Sequence, residues 1–257
     1  YLLSTLVTLL VSCYPNDVIK EIKDLEFREY LIREFDANKD HKLTKDEVIL
    51  ITEVVIPYDV KSVQGIEYLE NLEEYHENGG KMVSLNLSKN SKLQKVDCMN
   101  MRQLSNLQVP RNIETIVMTR TALKELKLKD MPFLSELYCI ESSLETLEID
   151  KCPCLTIINC NDNELTEIDL SKFPALKELY CNGNNLTVID ISKNPELKSL
   201  RCKKNKNLKE IICKKGQKIE GITHNVDYKY DIDKGIHIRY ICLLYTSPSP
   251  RDRTRSR

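Results

Sequence analysis

The chain has 257 residues, a formal net charge of −1, 41% hydrophobic residues and 30% charged residues. That balance allows a sizeable buried core and excludes an intrinsically disordered chain. It supplies no overall basic field for nucleic acid, and no apolar stretch is long enough for a membrane-spanning helix.

Taken in chain order, residues 1–13 read YLLSTLVTLLVSC, an uncharged apolar run. Its length suits the hydrophobic stretch of a signal peptide rather than a bilayer span. The closing Leu10-Val11-Ser12-Cys13 resembles the lipobox of bacterial lipoproteins. The resemblance implies acylation at Cys13 and a membrane tether through lipid, since two acyl chains anchor stably where one does not. With no initiator Met and no basic start, the signal reads as incomplete.

Residues 14–80 hold 17 Asp and Glu against 8 Lys and Arg, net −9, whereas residues 81–241 hold 21 against 26, net +5. The break falls at Gly79-Gly80, where a domain boundary is expected. Asp17 to Phe35 places Val18, Ile22, Leu25, Tyr30, Leu31 and Phe35 at helical spacing. The following DANKDHKLTKDE, residues 36–47, resembles an EF-hand calcium loop. The resemblance implies a Ca²⁺ site formed by Asp36, Asn38, Asp40, the Lys42 carbonyl, Thr44 (directly or through water) and Glu47. His41 stands where the family's sharp turn favours Gly, which implies weak affinity. The same residues also read as a metal-free helix–turn–helix whose second helix opens on the capping box Thr44-x-x-Glu47. Either way, residues 14–80 are expected to form a small helical EF-hand-like cap over the first coil's sheet edge.

From there the chain repeats itself. Pro132, Pro153, Pro174 and Pro195 fall 21 residues apart, and Cys139, Cys160, Cys181 and Cys202 keep the same step. Upstream the register persists in Leu93-Val96-Cys98 and Ile113-Ile116-Met118. The units are 88–109, 110–128, 129–149, 150–170, 171–191 and 192–213, with 81–87 the tail of an earlier one. So short a unit cannot bury its own apolar face, so neighbours must stack. Alternation in Leu-x-x-Leu-x-Cys is strand periodicity. Asn163, Asn184 and Asn205 follow each strand, where an amide can satisfy backbone groups at the turn. This pattern resembles the leucine-rich-repeat family. It implies an α/β solenoid, a horseshoe with a parallel β-sheet on its concave face, over residues 81–213.

The cysteines Cys98, Cys139, Cys160, Cys181 and Cys202 occupy inward positions and are expected to pack as free, buried thiols. In-register strands hold such side chains parallel rather than aimed at one another, against a disulfide framework. Cys152-Pro-Cys154 has no partner at zinc-like spacing. The residues between the inward ones face outward: a middle column of Asp97, Val117, Tyr138, Asn159, Tyr180 and Arg201, flanked by Met99, Ile140 and Lys203. Aromatic, Met and Arg side chains on an open face are the chemistry of recognition surfaces.

Residues 214–241 leave the register and read as a C-terminal cap. Residues 242–257, CLLYTSPSPRDRTRSR, resemble a translated sequencing adapter and are expected to be foreign to the protein. The four histidines are accompanied by no nucleophile, phosphate loop or zinc motif, so an enzyme is not expected. The combined resemblance is to exported bacterial surface lipoproteins. It implies a lipid-anchored, cell-surface or outer-membrane protein that binds a protein or polysaccharide through its concave face, without nucleic acid. The alternative is a structural spacer with no ligand of its own.

Overall fold

The computed structural model describes residues 17–217, 230–233 and 235–241. Cys13 and residues 242–257 lie outside the described residues. The chain enters through a 3₁₀ turn, Val18–Glu21, and helix α1, Leu25–Phe35. The helix is shorter than the spacing from Asp17 suggests. Asp24 takes the N-cap position, its Oδ1 accepting from the Phe27 N–H at 2.8 Å, which fixes the start of the first turn. After the 36–47 loop comes α2, Lys45–Val48, a single turn.

The strands follow in chain order: β1 (Glu53–Ile56), β2 (Glu74–Asn78), β3 (Ser84–Asn86), β4 (Lys95–Met99), β5 (Asn106–Gln108) and β6 (Thr115–Thr119). They continue with β7 (Glu125–Lys129), β8 (Glu136–Ile140), β9 (Thr146–Asp150), β10 (Ile157–Asn159) and β11 (Glu178–Tyr180). The last are β12 (Val188–Asp190), β13 (Ser199–Arg201), β14 (Glu210–Lys214), β15 (Tyr230–Asp231) and β16 (His237–Ile241). One wall is a nine-stranded parallel sheet in the order β1-β2-β4-β6-β8-β10-β11-β13-β15. The opposite wall is discontinuous, formed by the parallel groups β3-β5, β7-β9 and β12-β14-β16.

Two strands of the main sheet, β1 and β2, precede Gly79-Gly80. The coils therefore begin well before the boundary expected from the charge break. Val54, Tyr75 and Val96 are in register, as are Ile56, Glu77 and Cys98, so the 21-residue step extends back to residue 54. The glycine pair has a local cause instead: a Cβ on Gly80 would collide with the Glu77 carboxylate folded against it. At the other end, β16 stacks on β14 and β15 on β13, so residues 214–241 continue both walls in part. Helix α1 meets β1 at one point, where the Tyr30 hydroxyl accepts the Val55 N–H at 2.8 Å.

Between the walls lies one core. Leu137, Ile158, Leu179 and Leu200 line it in one column, and Cys98, Cys139, Cys160, Cys181 and Cys202 in the next, all fully buried. The ladder cysteines form no disulfide, and burial raises the pKa of the Cys98, Cys139, Cys160 and Cys181 thiols, in Cys160 to about 12. The turn asparagines behave as their positions suggest. Asn184 donates to the Cys160, Cys181 and Asn182 carbonyls at 2.9, 3.2 and 3.2 Å, while its Oδ1 accepts from Leu165 N–H at 3.0 Å. Asn163 and Asn205 repeat the arrangement one coil away on either side. A second, unanticipated set sits elsewhere in the coil: Asn90 and Asn194 are buried and each donates to two carbonyls of the preceding coil.

Candidate functional site

Side chains that do not enter the core stand on the outer face of the nine-stranded sheet. Register places the expected residues side by side: Asp97 beside Val117, Val117 beside Tyr138, Tyr138 beside Asn159, Asn159 beside Tyr180 and Tyr180 beside Arg201. Met99, Thr119 and Ile140 form the adjoining column. Lys203 follows just beyond β13, its N–H bonded to Asn182 Oδ1 at 2.8 Å. All nine expected face residues are thus brought onto one surface.

The two tyrosines are held rather than free. The Tyr138 hydroxyl donates to Glu136 at 3.2 Å and the Tyr180 hydroxyl to Glu178 at 2.6 Å. Both partners lie two residues back on the same strand, which in a strand means the same face. Arg201 stacks its guanidinium 5.1 Å from the Tyr180 ring centroid, a cation–π contact across neighbouring coils. Partial burial, with the adjacent carboxylates, raises both phenol pKa values, so both hydroxyls stay protonated at neutral pH. The result is a pre-ordered aromatic patch bordered by half-exposed Ile140 and by Met99, which is 38% exposed.

Toward the N-terminal end the face changes character. His76, on β2, lies 3.0 Å from Glu74, 3.7 Å from Glu53 and 3.9 Å from Asp97, and Lys95 lies 3.6 Å from Glu74. Sequence reading missed Glu53, Glu74 and His76 because it placed them in a separate domain. The signal was present in the 21-residue step back from Lys95 and Asp97 to Glu74 and His76.

The 36–47 loop is closed by its own amides. Asp36 accepts from the Lys39 and His41 N–H groups at 2.7 and 2.8 Å, Asn38 from Asp40 at 2.8 Å and Asp40 from Lys42 at 2.9 Å. Glu47 accepts from the Thr44 N–H at 2.9 Å, the Thr44 hydroxyl at 2.7 Å and Ala37 N–H at 3.1 Å, contacts that lower its pKa. Lys39 and His41 both take φ of 60°, so the position expected to want glycine does adopt the left-handed conformation. These oxygens suit a hard cation chemically. However, no group of three or more His, Cys, Asp or Glu is arranged to hold a metal among the described residues.

A stacked parallel solenoid with inward Leu and Cys columns and a buried asparagine in successive coils is a leucine-rich-repeat fold. Among solved structures, the chain is similar to InlP from Listeria monocytogenes at 18% identity, over 78% of this chain and 67% of that one, with a TM-score of 0.59. It is similar to internalin C2 of the same species at 16% identity, over 89% of this chain and 98% of that one, with a TM-score of 0.57. The functional domain of InlJ, which includes a cysteine ladder, aligns at 20% identity and a TM-score of 0.48. The alignment covers 77% of this chain but only 52% of that one. No family model matches the chain, and no curated protein matches it either. The likeness establishes the fold, an internalin-like leucine-rich-repeat solenoid.

Proposed function

We propose that this chain is an exported bacterial leucine-rich-repeat binding protein, tethered by lipid at Cys13, which recognises a protein or glycan on the outer face of its nine-stranded sheet. The observation that carries this reading is the pre-ordered patch of Tyr138, Tyr180 and Arg201 with Met99 and Ile140 alongside. Rigid aromatic and Arg side chains lose little entropy on binding and dominate interface energetics. The internalin-like fold is in keeping with a binding role. No helix among the described residues is long and apolar enough to cross a membrane.

The test is a binding screen of the whole chain against host glycoproteins, mucins and polysaccharides, with Tyr138→Ala/Tyr180→Ala in parallel. Truncating two such anchors is expected to weaken capture by about 100-fold or more. Thermal unfolding should shift by only a few degrees, because neither ring is in the core. Ligand capture that survives the double substitution would move the site off this face. A chain that captures nothing would favour a spacer.

The second part of the proposal is that Asp36, Asn38, Asp40, the Lys42 carbonyl, Thr44 and Glu47 take Ca²⁺ and stiffen the segment that meets β1. With three carboxylates and an imperfect turn residue, the expected dissociation constant is about 10⁻⁴–10⁻³ M. Millimolar Ca²⁺ should therefore raise the melting temperature, and Glu47→Gln should remove that response. An identical melting curve in Ca²⁺ and in chelator would reduce the loop to a metal-free turn.

A further inference from the structure

The wall opposite the binding face has a gap. β7 and β9 pair, as do β12 and β14, but residues 166–169 between these groups form no strand. Among the described residues, no backbone hydrogen bond joins 166–169 to β9 or to β12. The ladder stops at Glu164 N–H to Leu144 C=O, 2.9 Å, because the chain leaves it early. Asp169 caps a 3₁₀ turn, Leu170–Lys172, by accepting from the Ser171 N–H at 3.1 Å.

β9 is consequently an edge strand in the middle of the molecule. Thr146 N–H and Asp150 C=O bond toward the β7 side, to Lys124 and Asp130. Alternate residues of a parallel strand bond to alternate sides, so the Leu147 and Ile149 backbone groups face the gap. An open cavity of about 710 Å³ lies there, between β9 and 166–172. Leu147 and Ile168 are each half-buried at its walls, whereas Leu126 and Leu128 on β7 are only 4% and 3% exposed. The rim is acidic, with Glu145, Glu148, Asp150, Glu167 and Asp169 against Lys127, Lys129 and Lys172. Lys172 spans the rim, 3.5 Å from Asp150 and 3.9 Å from Asp169.

We infer that this gap is a docking slot for an extended peptide segment of a partner protein, which adds as a parallel strand to β9 with apolar residues inward and basic residues outward. The molecule already displays what β9 accepts. On its other side sits β7, Glu-Leu-Lys-Leu-Lys, with Leu126 and Leu128 in the core and Lys127 3.8 Å from Glu148. A strand with that alternation, seated in the gap, covers Leu147 and Ile168. It takes up the Leu147 and Ile149 amides and sets its lysines between Glu148 on one side and Glu167 on the other. This surface is separate from the aromatic face, so either can fail without the other.

The probe is a synthetic peptide with the sequence of residues 123–130, Leu-Lys-Glu-Leu-Lys-Leu-Lys-Asp, and a control in which its three lysines are glutamates. Binding to the whole chain is read by fluorescence anisotropy, and amide exchange at Leu147 and Ile149 by mass spectrometry. The basic peptide should bind and slow those two amides, whereas the acidic control should do neither. Glu148→Lys/Glu167→Lys, two exposed positions, should weaken the basic peptide about tenfold or more and leave the melting temperature nearly unchanged. Binding that leaves Leu147 and Ile149 exchange untouched would overturn the slot. So would equal binding of the two peptides, or no binding of either.

Discussion

Replacing Asn184 with alanine is expected to lower the unfolding free energy by about 2–4 kcal/mol, since four hydrogen bonds disappear at once and the Leu165 N–H loses its partner. The side chain is 3% exposed, and it closes the turn of its own coil while tying the coil before it. Water cannot readily replace it, because the Cys160 and Cys181 carbonyls and the Leu165 N–H lie within the stack. Urea denaturation measures the loss, and amide exchange at Leu165 localises it. In a solenoid each coil contacts only its neighbours, so a central lesion should also split the transition into two steps. The same change at Asn205, nearer the C-terminal end, should cost less and leave a single transition. A cost below about 1 kcal/mol at Asn184 would mean that water fills the site.

Glu77→Gln is expected to stabilise the protein at neutral pH and to flatten its stability between about pH 4.5 and 7. Glu77 stands in the cysteine column, 3% exposed, beside Cys98. Its Oε2 accepts from the Tyr75 hydroxyl at 2.6 Å, and its Oε1 has no partner. Burial raises its pKa from 4.5 to about 7. A carboxyl with a folded pKa above its unfolded value favours the fold while protonated. The benefit is complete below about pH 4.5 and is lost as pH rises through 7. The shift corresponds to about 3 kcal/mol between those limits. Wild type and variant should therefore have similar midpoints in acid and diverge toward neutrality, with the variant the more stable. Parallel curves across that range would show that water reaches the carboxylate.

The repeat was legible because its inward positions are chemically monotonous. Leu, Cys and Asn recur at a fixed step, and each recurrence has a packing or hydrogen-bonding reason. The first coils were not, because Tyr75 and Glu77 replace leucine and cysteine there, and a run of surface acids suggested a separate module. Helix α1 was overextended for a related reason: Val18 and Ile22 are buried, but on a 3₁₀ turn and a loop ahead of the Asp24 cap. Which residues share the outer face of the nine-stranded sheet followed directly from strand alternation once the register was known. The gap in the far wall did not, because Thr166-Glu167-Ile168-Asp169 alternates much as β9 does. The segment runs instead into the 3₁₀ turn Leu170–Lys172, a local feature that periodicity does not record.

The column of buried thiols also gives the molecule an internal gauge. Of the eight cysteines among the described residues, only Cys154 is exposed. A thiol held neutral and out of water does not react with an alkylating reagent. A coil that opens surrenders its buried sulfurs to the reagent, one each at Cys98, Cys139 and Cys181 and two each at Cys152 with Cys160 and Cys202 with Cys213, and each label adds a fixed mass. Counting labels on intact protein as denaturant rises would therefore show how many coils have opened, and peptide mapping would show at which end the opening began.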